Sequence, residues 1–529
     1  LGPGNKLVLA PGLLANSGAS STGRLSVGAK SPLTGTIKES NTGGRPGQQL
    51  ARLGVDALIF EEPAERDQWL VARVSTEGVE VLPGDHLVGL GVYESVTRMR
   101  DRFGDKVAVF AIGPAGEHRL AAASIGVTDA DGVPARHAGR GGLGAVMGSL
   151  GLKAIVVDTT GAPAAASPAD PEGLKAANRR FVEALRAHPV SGQSMPKYGT
   201  NALVSPINAL GGLPTRNFSQ GQFELAEQIN GEALHDRIVE RGGETTHRCM
   251  PGCVIRCSNT YVDEAGREVT RGIEYESIVL LGADCGIGDL DAVAQLNYLC
   301  DDLGLDTMEI GVTLGVAMEA GVLAFGDAQA ALALVAEVGQ DTPLARVVGQ
   351  GAAVTGRVFG VAHVPVVKGQ AMPAYDPRAF KGIGVTYATS TMGADHTAGN
   401  CLPGSALPDG TIPDPHSREH QVELSRYMQQ LATTFDSLGL CWFTRGPILA
   451  DNSLLTDILT AQWGGEWTMD GLFAQARQTL GVELAFNRAA GFTPDDDRLP
   501  DYFSEEALAP EGLKFDISPE EMQPAIPVP

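Results

Sequence analysis

The sequence predicts an α+β protein, with a β-rich N-terminal domain followed by two mainly α-helical domains. Three observations carry this reading. Short apolar runs separated by glycine turns fill the chain up to about Thr160. Helical periodicity takes over after the small-residue stretch Gly161-Ala162-Pro163-Ala164-Ala165-Ala166-Ser167-Pro168. The length of 529 residues exceeds one ordinary core and implies two to four domains.

In chain order, strands are expected at residues 7–10, 57–60, 69–74, 107–112 and 154–157. Asp170-Pro171 then reads as an N-cap with Pro at the first helical position, and Leu174, Phe181 and Leu185 form a helical stripe. The remainder is mostly helical, rich in Ala, Leu and Gly. A second joint is expected near residues 364–372, ahead of Pro373-Ala374-Tyr375-Asp376-Pro377. The expected domains are 1–163, 164–366 and 367–529.

Composition narrows the function classes. A net charge of −23 argues against nucleic acid, whose phosphates demand a basic surface. No apolar run reaches membrane-span length; the closest, 310–325, is interrupted by Glu319. Seven cysteines without a disulfide-like framework point to a reducing compartment, taken as the cytoplasm. The chain opens at Leu1 rather than Met, and a few dozen preceding residues, with any targeting signal, are expected upstream.

Two distant segments share one pattern. Asp301-Asp302-Leu303-Gly304-Leu305-Asp306 and Asp436-Ser437-Leu438-Gly439-Leu440-Cys441 both read Asp-x-x-Gly-Leu, and each closes a stretch of helical period. Either alone reads as a glycine C-cap. Together they suggest two helix ends gripping two similar halves of one ligand. Cys249, Cys253 and Cys257 fall within nine residues around Pro251-Gly252, so three thiols can converge on one soft metal centre. Iron–sulfur clusters and zinc both suit thiolates and usually want a fourth ligand. Cys441 is the candidate, because it ends the second Asp-x-x-Gly-Leu segment. Zinc explains the thiols, but not why one of them terminates that grip.

Two further units suggest anion holding. Arg24 goes with Asn41-Thr42-Gly43-Gly44, and a second unit is Arg136-His137-Ala138-Gly139-Arg140-Gly141-Gly142. Glycine turns let backbone N–H groups approach phosphate, and arginine forks match its oxygens. Two such units imply a ligand with two phosphate ends. Glu276 precedes the apolar run Ile278-Val279-Leu280-Leu281, which predicts a desolvated carboxylate, the setting a general acid/base requires. By itself Glu276 also reads as an exposed helix-start residue, and the lone His396 as structural.

These motifs, taken in order, resemble the tungsten-containing aldehyde:ferredoxin oxidoreductase family. Also similar are Leu1-Gly2-Pro3-Gly4-Asn5-Lys6, Gly23-Arg24 through Ser31-Pro32-Leu33-Thr34-Gly35, Gly139-Arg140-Gly141-Gly142-Leu143-Gly144-Ala145-Val146-Met147-Gly148-Ser149 and Glu274-Tyr275-Glu276-Ser277. The resemblance implies a β-rich base domain for a tungsten (or molybdenum) bis-pterin, with two helical domains covering it. It assigns cofactor contacts to Arg24, Asn41, Gly43, Arg136, His137, Gly139, Arg140, Asp301, Leu305, Asp306, Asp436, Leu440 and Trp442. Backbone carbonyls of Asn41 and His137 are expected to hold a Mg²⁺ bridging the pterin phosphates. Asp301 and Asp436 are expected to accept hydrogen bonds from the pterin rings as ionised carboxylates. A 4Fe–4S cluster is implied on Cys249, Cys253, Cys257 and Cys441.

The implied activity is oxidation of an aldehyde to a carboxylic acid, with Glu276 moving a proton and His396 orienting the substrate oxygen. Electrons are expected to leave singly to ferredoxin or an iron–sulfur partner subunit. Two departures stand out. Met392 and Ala398 occupy positions where cofactor-contacting Arg and Lys occur in the family. Gln295 and Tyr298 replace a Glu-x-x-His pair, so an iron-bridged dimer is not expected, while other oligomers remain open. Competing readings are an aromatic acyl-CoA ring reductase catalytic subunit of the same family and a non-catalytic, cluster-bearing electron-transfer subunit.

Overall fold

The computed structural model describes residues 1–63, 68–163, 167–340 and 342–526. The middle of the expected first joint, residues 164–166, lies outside the described residues, as do 341 and 527–529. Up to residue 157 the chain builds two sheets. The first contains β1 (Leu7–Pro11), β2 (Leu25–Lys30), β3 (Ile37–Thr42) and β4 (Leu58–Phe60), antiparallel in the order β3-β2-β1-β4. The second contains β5 (Leu70–Ser75), β6 (Gly78–Pro83), β7 (Ala108–Ala111), β8 (Ile125–Val127), β9 (Arg136–Ala138) and β10 (Leu152–Val157). Its order is β6-β5-β10-β7-β8-β9, and only the β5–β10 pair is parallel.

Period-two patterning explains how these sheets pack. In β10, Leu152, Ile155 and Val157 join one apolar cluster while Ala154 and Val156 join another. Both faces are therefore covered, and the strand is buried end to end. The first cluster also takes Leu7 and Leu9 of β1 with Leu25, Val27 and Ala29 of β2. Lys153 is buried within β10, and its ammonium is met by Glu117 and the carbonyls of Leu90 and Ile112.

All five expected strands are present, shifted by at most two residues. The polar strands β3 and β9 were not among them. The inward face of β3 is Lys38, Ser40 and Thr42, so apolar alternation is missing. Both are edge strands.

Beyond residue 170 the fold is mainly helical. α1 (Pro171–Ala187) starts where Asp170 accepts from Gly173 N, and buries Leu174, Phe181 and Leu185 as expected. A three-stranded sheet interrupts the helices, a difference from the expected pattern: β11 (Glu244–His247), β12 (Ser258–Val262) and β13 (Glu268–Arg271). The cysteine loop is the connection between β11 and β12. There follow α2 (Tyr275–Leu281), α3 (Leu290–Leu303) and α4 (Thr307–Glu319), the last buried almost all round. A small hairpin, β14 (Val366–Val367) with β15 (Gln370–Ala371), stands at the expected second joint. Then come α5 (Lys381–Thr389), α6 (Gln421–Leu438), α7 (Ser453–Trp463) and α8 (Met469–Ala489). One apolar cluster runs from Leu174 to Ala525 and also takes in Leu14, Ala19 and Ala123 of the β-rich region. Among the described residues, no helix is long and apolar enough to cross a membrane.

Candidate cofactor and active site

The two Asp-x-x-Gly-Leu turns adopt the same conformation. Gly304 ends α3 with φ +72°, Gly304 N donates to Asp301 O and Leu305 N to Cys300 O at 2.7 Å. Gly439 ends α6 with φ +72°, Gly439 N donates to Asp436 O and Leu440 N to Phe435 O at 2.9 Å. That left-handed backbone requires glycine. Both turns are seated on the β-rich region by matching main-chain bonds. Ser124 N donates to Gly304 O (2.8 Å) and Asp306 N to Ala122 O (2.9 Å); Arg24 N donates to Gly439 O (3.1 Å) and Cys441 N to Ser21 O (2.9 Å). The approach leaves no room for side chains beneath. A Cβ on Gly113 would lie 2.3 Å from Leu303 O, and one on Gly12 would lie 2.1 Å from Gly439 N.

This seating brings Asp301 and Asp436 to one cavity of about 600 Å³. Of the residues expected from the sequence, all but Cys253 line it. On the floor, Asn41 comes from β3 and Arg136 and His137 from β9. Edge strands keep half of their backbone groups outside the ladder, which makes carbonyls available to a ligand. Arg24 is folded onto Asn41, with Nη2 donating to Asn41 O at 3.1 Å and Nε bonded to Asn41 Oδ1. Arg136 pairs with Glu274 (3.2 Å) and Ser258 (2.6 Å), while its buried Nε lacks a partner. Arg140 bonds to Asp306, Ala371 O and Ala394 O, so its side chain braces the loop that carries Asp395 and His396. Asp395 is itself paired with buried Lys38, which together with Arg140 holds its carboxyl far below the usual range despite burial.

Burial dominates the electrostatics of the two Asp carboxyls. Asp301 is pushed up to about 8, mainly by desolvation, and Asp436 is raised well above its ordinary value by burial and by Glu39. At about 8, Asp301 is largely protonated at neutral pH, and Asp436 shifts in the same direction. The sequence does not reveal how completely the helix ends are withdrawn from water. Asp301 Oδ2 already accepts from Asn297 Nδ2 (2.9 Å) and Thr270 Oγ1 (3.3 Å). His137 is depressed to about 3 by burial and by Arg136, so its ring is neutral. Its Nε2 lies 3.2 Å from Asp301 Oδ1, off the line of a hydrogen bond, and is left without a partner. Met392 and Ala398 border a side recess with Glu39, Asp436 and Glu483.

The four thiols come together. Gly252 (φ +79°) and Arg256 (φ +54°) bend the loop, whose carbonyls accept from Ser20 Oγ at Gly252 (3.0 Å) and Gln48 Nε2 at Pro251 (3.1 Å). Burial and the other thiols raise Cys249 to about 12, and burial and Cys253 raise Cys441 to about 11. Cys257 is raised by burial, Glu274 and the same thiols. Cys285 and Cys401 lie elsewhere, bonded to Leu280 O and Thr386. Among the described residues, no three of these sulfurs come within 4.8 Å of one another. The described group that does have such close spacing is Asp129, Asp131 and His247. There Arg271 Nη1, 3.4 and 3.3 Å from the two carboxylates, already supplies the counter-charge.

Glu276 also lines the cavity, from the first turn of α2. Its Oε2 accepts from Ala374 N at 2.7 Å, while buried Oε1 has no hydrogen-bond donor and lies 3.4 Å from His396 Nε2. Tyr375 was missed by sequence reading, which took its Pro-rich segment only as a joint. Its ring stacks on Tyr275 at 5.1 Å and stands 5.9 Å from the His396 ring. Burial and the Glu276 charge raise its phenol well above the ordinary value. The proline bends before and after Tyr375 were the legible signal. Arg445, also on the cavity wall, was missed as well.

Comparison with known proteins identifies relatives of this chain. The sequence matches the family model for the aldehyde ferredoxin oxidoreductase N-terminal domain over residues 1–159, and that for domains 2 and 3 over residues 176–527. It is 34% identical to the tungsten-containing aldehyde ferredoxin oxidoreductase of Pyrococcus furiosus, covering 97% of this chain and 84% of that protein. The enzyme of the same name from Thermococcus kodakarensis is also 34% identical, with 97% and 84% covered. An aliphatic sulfonate oxidoreductase, WOR-like subunit, of Pyrococcus furiosus is 25% identical over 72% of this chain and 64% of that one. Among solved structures, the active site complex BamBC of benzoyl coenzyme A reductase with 1,5-dienoyl-CoA shares the fold. Its TM-score is 0.78 at 18% identity, over 98% of this chain and 84% of that one.

Proposed function

The chain belongs to the aldehyde ferredoxin oxidoreductase family, and on that premise we propose that this oxidoreductase converts an aldehyde to its carboxylic acid in the cavity between Glu276 and the paired Asp turns. The observation that carries the reading is convergence. Glu276 and His396, 3.4 Å apart, face the same cavity as Asp301, Asp436 and the thiols of Cys249, Cys257 and Cys441. An aldehyde and one water become a carboxylate, three protons and two electrons. When bound, a tungsten bis-pterin supplies the two-electron acceptor for that change.

The protein's own groups do the rest. Asp301 and Asp436 accept hydrogen bonds from the two pterin rings, and Leu305, Asp306, Leu440 and Trp442 lie against them. Arg24, Gly43, Arg136, Gly139 and Arg140 form the phosphate side, with carbonyls of Asn41 and His137 holding Mg²⁺ there. Glu276, anchored through Oε2, keeps Oε1 free to take a proton, and His396 orients the substrate oxygen. Cys249, Cys253, Cys257 and Cys441 would hold a 4Fe–4S cluster, which would supply single-electron transfer toward ferredoxin or an iron–sulfur partner subunit. The seven free cysteines agree with a reducing, cytoplasmic setting.

The test is an anaerobic preparation of the full-length protein assayed for tungsten, molybdenum, iron and sulfide, then for viologen reduction. Aldehydes are run against aromatic CoA thioesters. Oxidation of aldehydes supports the reading. Turnover of the thioesters alone transfers the site to ring reduction, and full cluster content with neither activity leaves an electron-transfer subunit.

A further inference from the structure

Ser21 carries a side chain where the backbone favours glycine. Its φ is +61°, in a chain that places glycine at most of its left-handed positions. Such strain persists where the surroundings fix it, and it clusters where the side chain has a use. Ser21 is 1% exposed, so bulk water gives its hydroxyl no partner. That hydroxyl lies 3.7 Å from Cys253 Sγ and 3.2 Å from Ser20 Oγ. Ser20 Oγ donates its one proton to Gly252 O at 3.0 Å. It has none left for Ser21, and the Ser21 O–H is free to point at the Cys253 sulfur. Ser21 O in turn accepts from Cys441 N at 2.9 Å. One buried residue is thus bonded to both the cysteine loop and the turn that carries the fourth thiol. Among the described residues, no other side chain is hydrogen-bonded to a sulfur of Cys249, Cys253, Cys257 or Cys441; Cys441 also has a main-chain donor at Phe443.

We propose that Ser21 tunes the reduction potential of the cluster held by these thiols, by donating its O–H to Cys253 Sγ. This inference rests on the 4Fe–4S reading given above. A ligating cysteine is a thiolate and has no proton of its own, so Ser21 is the donor in that contact. Its sulfur becomes richer in electrons when one electron is added to the cluster. An O–H aimed at it therefore stabilises the reduced form more than the oxidised form, and the potential rises. The electron comes from aldehyde oxidation and leaves to the partner protein, and the Ser21 proton stays on Oγ throughout. A raised potential draws electrons away from the substrate-oxidising centre.

The test is a potentiometric titration of the anaerobic holoenzyme followed by electron paramagnetic resonance, with iron and sulfide determined on each preparation. Ser21→Ala keeps the Cβ and loses the hydroxyl. Ser21→Gly loses both and relieves the left-handed strain. Both should retain iron and sulfide, and in both the reduction equilibrium should weaken about tenfold, a midpoint about 59 mV more negative for one electron. Ser20→Ala should keep the wild-type midpoint, since the Ser20 hydroxyl serves Gly252 O. Unchanged or more positive midpoints in the two Ser21 variants overturn the proposal. A shift in only one of them assigns the effect to the backbone, and an equal shift in Ser20→Ala assigns it to the shape of the loop; either result overturns it as well. Loss of iron and sulfide from both Ser21 variants makes the residue a structural tie and has the same consequence. Wild type without iron and sulfide removes the 4Fe–4S reading itself. A full cluster in wild type with no shift in the Ser21 variants leaves that reading standing and removes only the role of Ser21.

Discussion

His396 Nε2 stands 3.4 Å from Glu276 Oε1, while the other oxygen of the same carboxylate is held by Ala374 N at 2.7 Å. One oxygen is therefore structural and one is available. Glu276→Gln retains shape and the Ala374 contact, so metal, pterin and cluster content should stay normal. Aldehyde oxidation should fall about 10²–10⁴-fold at saturating substrate, the usual worth of a general acid/base. His396→Asn should also lower turnover but raise KM, because it orients the substrate. Both are read in an anaerobic viologen assay alongside metal analysis; near-normal turnover of Glu276→Gln removes the base assignment.

Cys441 N is bonded to Ser21 O, and Ser21 Oγ reaches the Cys253 sulfur. Cys441→Ser should thus lose iron and sulfide as completely as Cys253→Ser. Cys285→Ser and Cys300→Ser should keep both, since these thiols are buried elsewhere. Iron and sulfide determination on each purified variant checks this, and a full cluster in Cys441→Ser contradicts the ligand set.

Seating of the two turns depends on bare backbone. Gly12→Ala and Gly113→Ala drive a methyl to 2.1 Å from Gly439 N and 2.3 Å from Leu303 O. Each should lose about 2–4 kcal/mol of stability, at the upper end for overpacking, and retain less pterin. Gly4→Ala, with nothing within 4 Å, should be neutral. Denaturant unfolding and pterin fluorescence give the comparison.

Asp284 and Asp301 are both raised to about 8 by burial from an ordinary 3.8. The folded state then binds more protons than the unfolded state between those values. Their stabilising contribution is complete below about pH 4 and is lost as pH rises through 8. For one such group the slope approaches about 1.4 kcal/mol per pH unit. Apoprotein carrying Asp284→Asn should gain on wild type steadily from pH 5 to pH 8. Parallel stability curves over that range would show that Asp284 ionises normally.

Much of this molecule is legible from residues near one another in sequence. Asp170 with Pro171, the glycines at 304 and 439, the apolar strands and the cysteine spacing each encode a local structure within a few positions. Those signals placed the helix caps, five strands and the two turns correctly. What they lacked was anything about neighbours brought from afar. β3 and β9 are polar because each is a sheet edge on the cavity, and an edge is a property of the sheet rather than of the strand. The ionisation of Asp301 follows from how fully α3 is covered. Tyr375 and Arg445 acquire meaning only where the segments carrying them close over the cavity. Periodicity and capping are short-range effects that the sequence by itself determines, whereas desolvation and charge pairing depend on the whole enclosure, which only the tertiary structure decides.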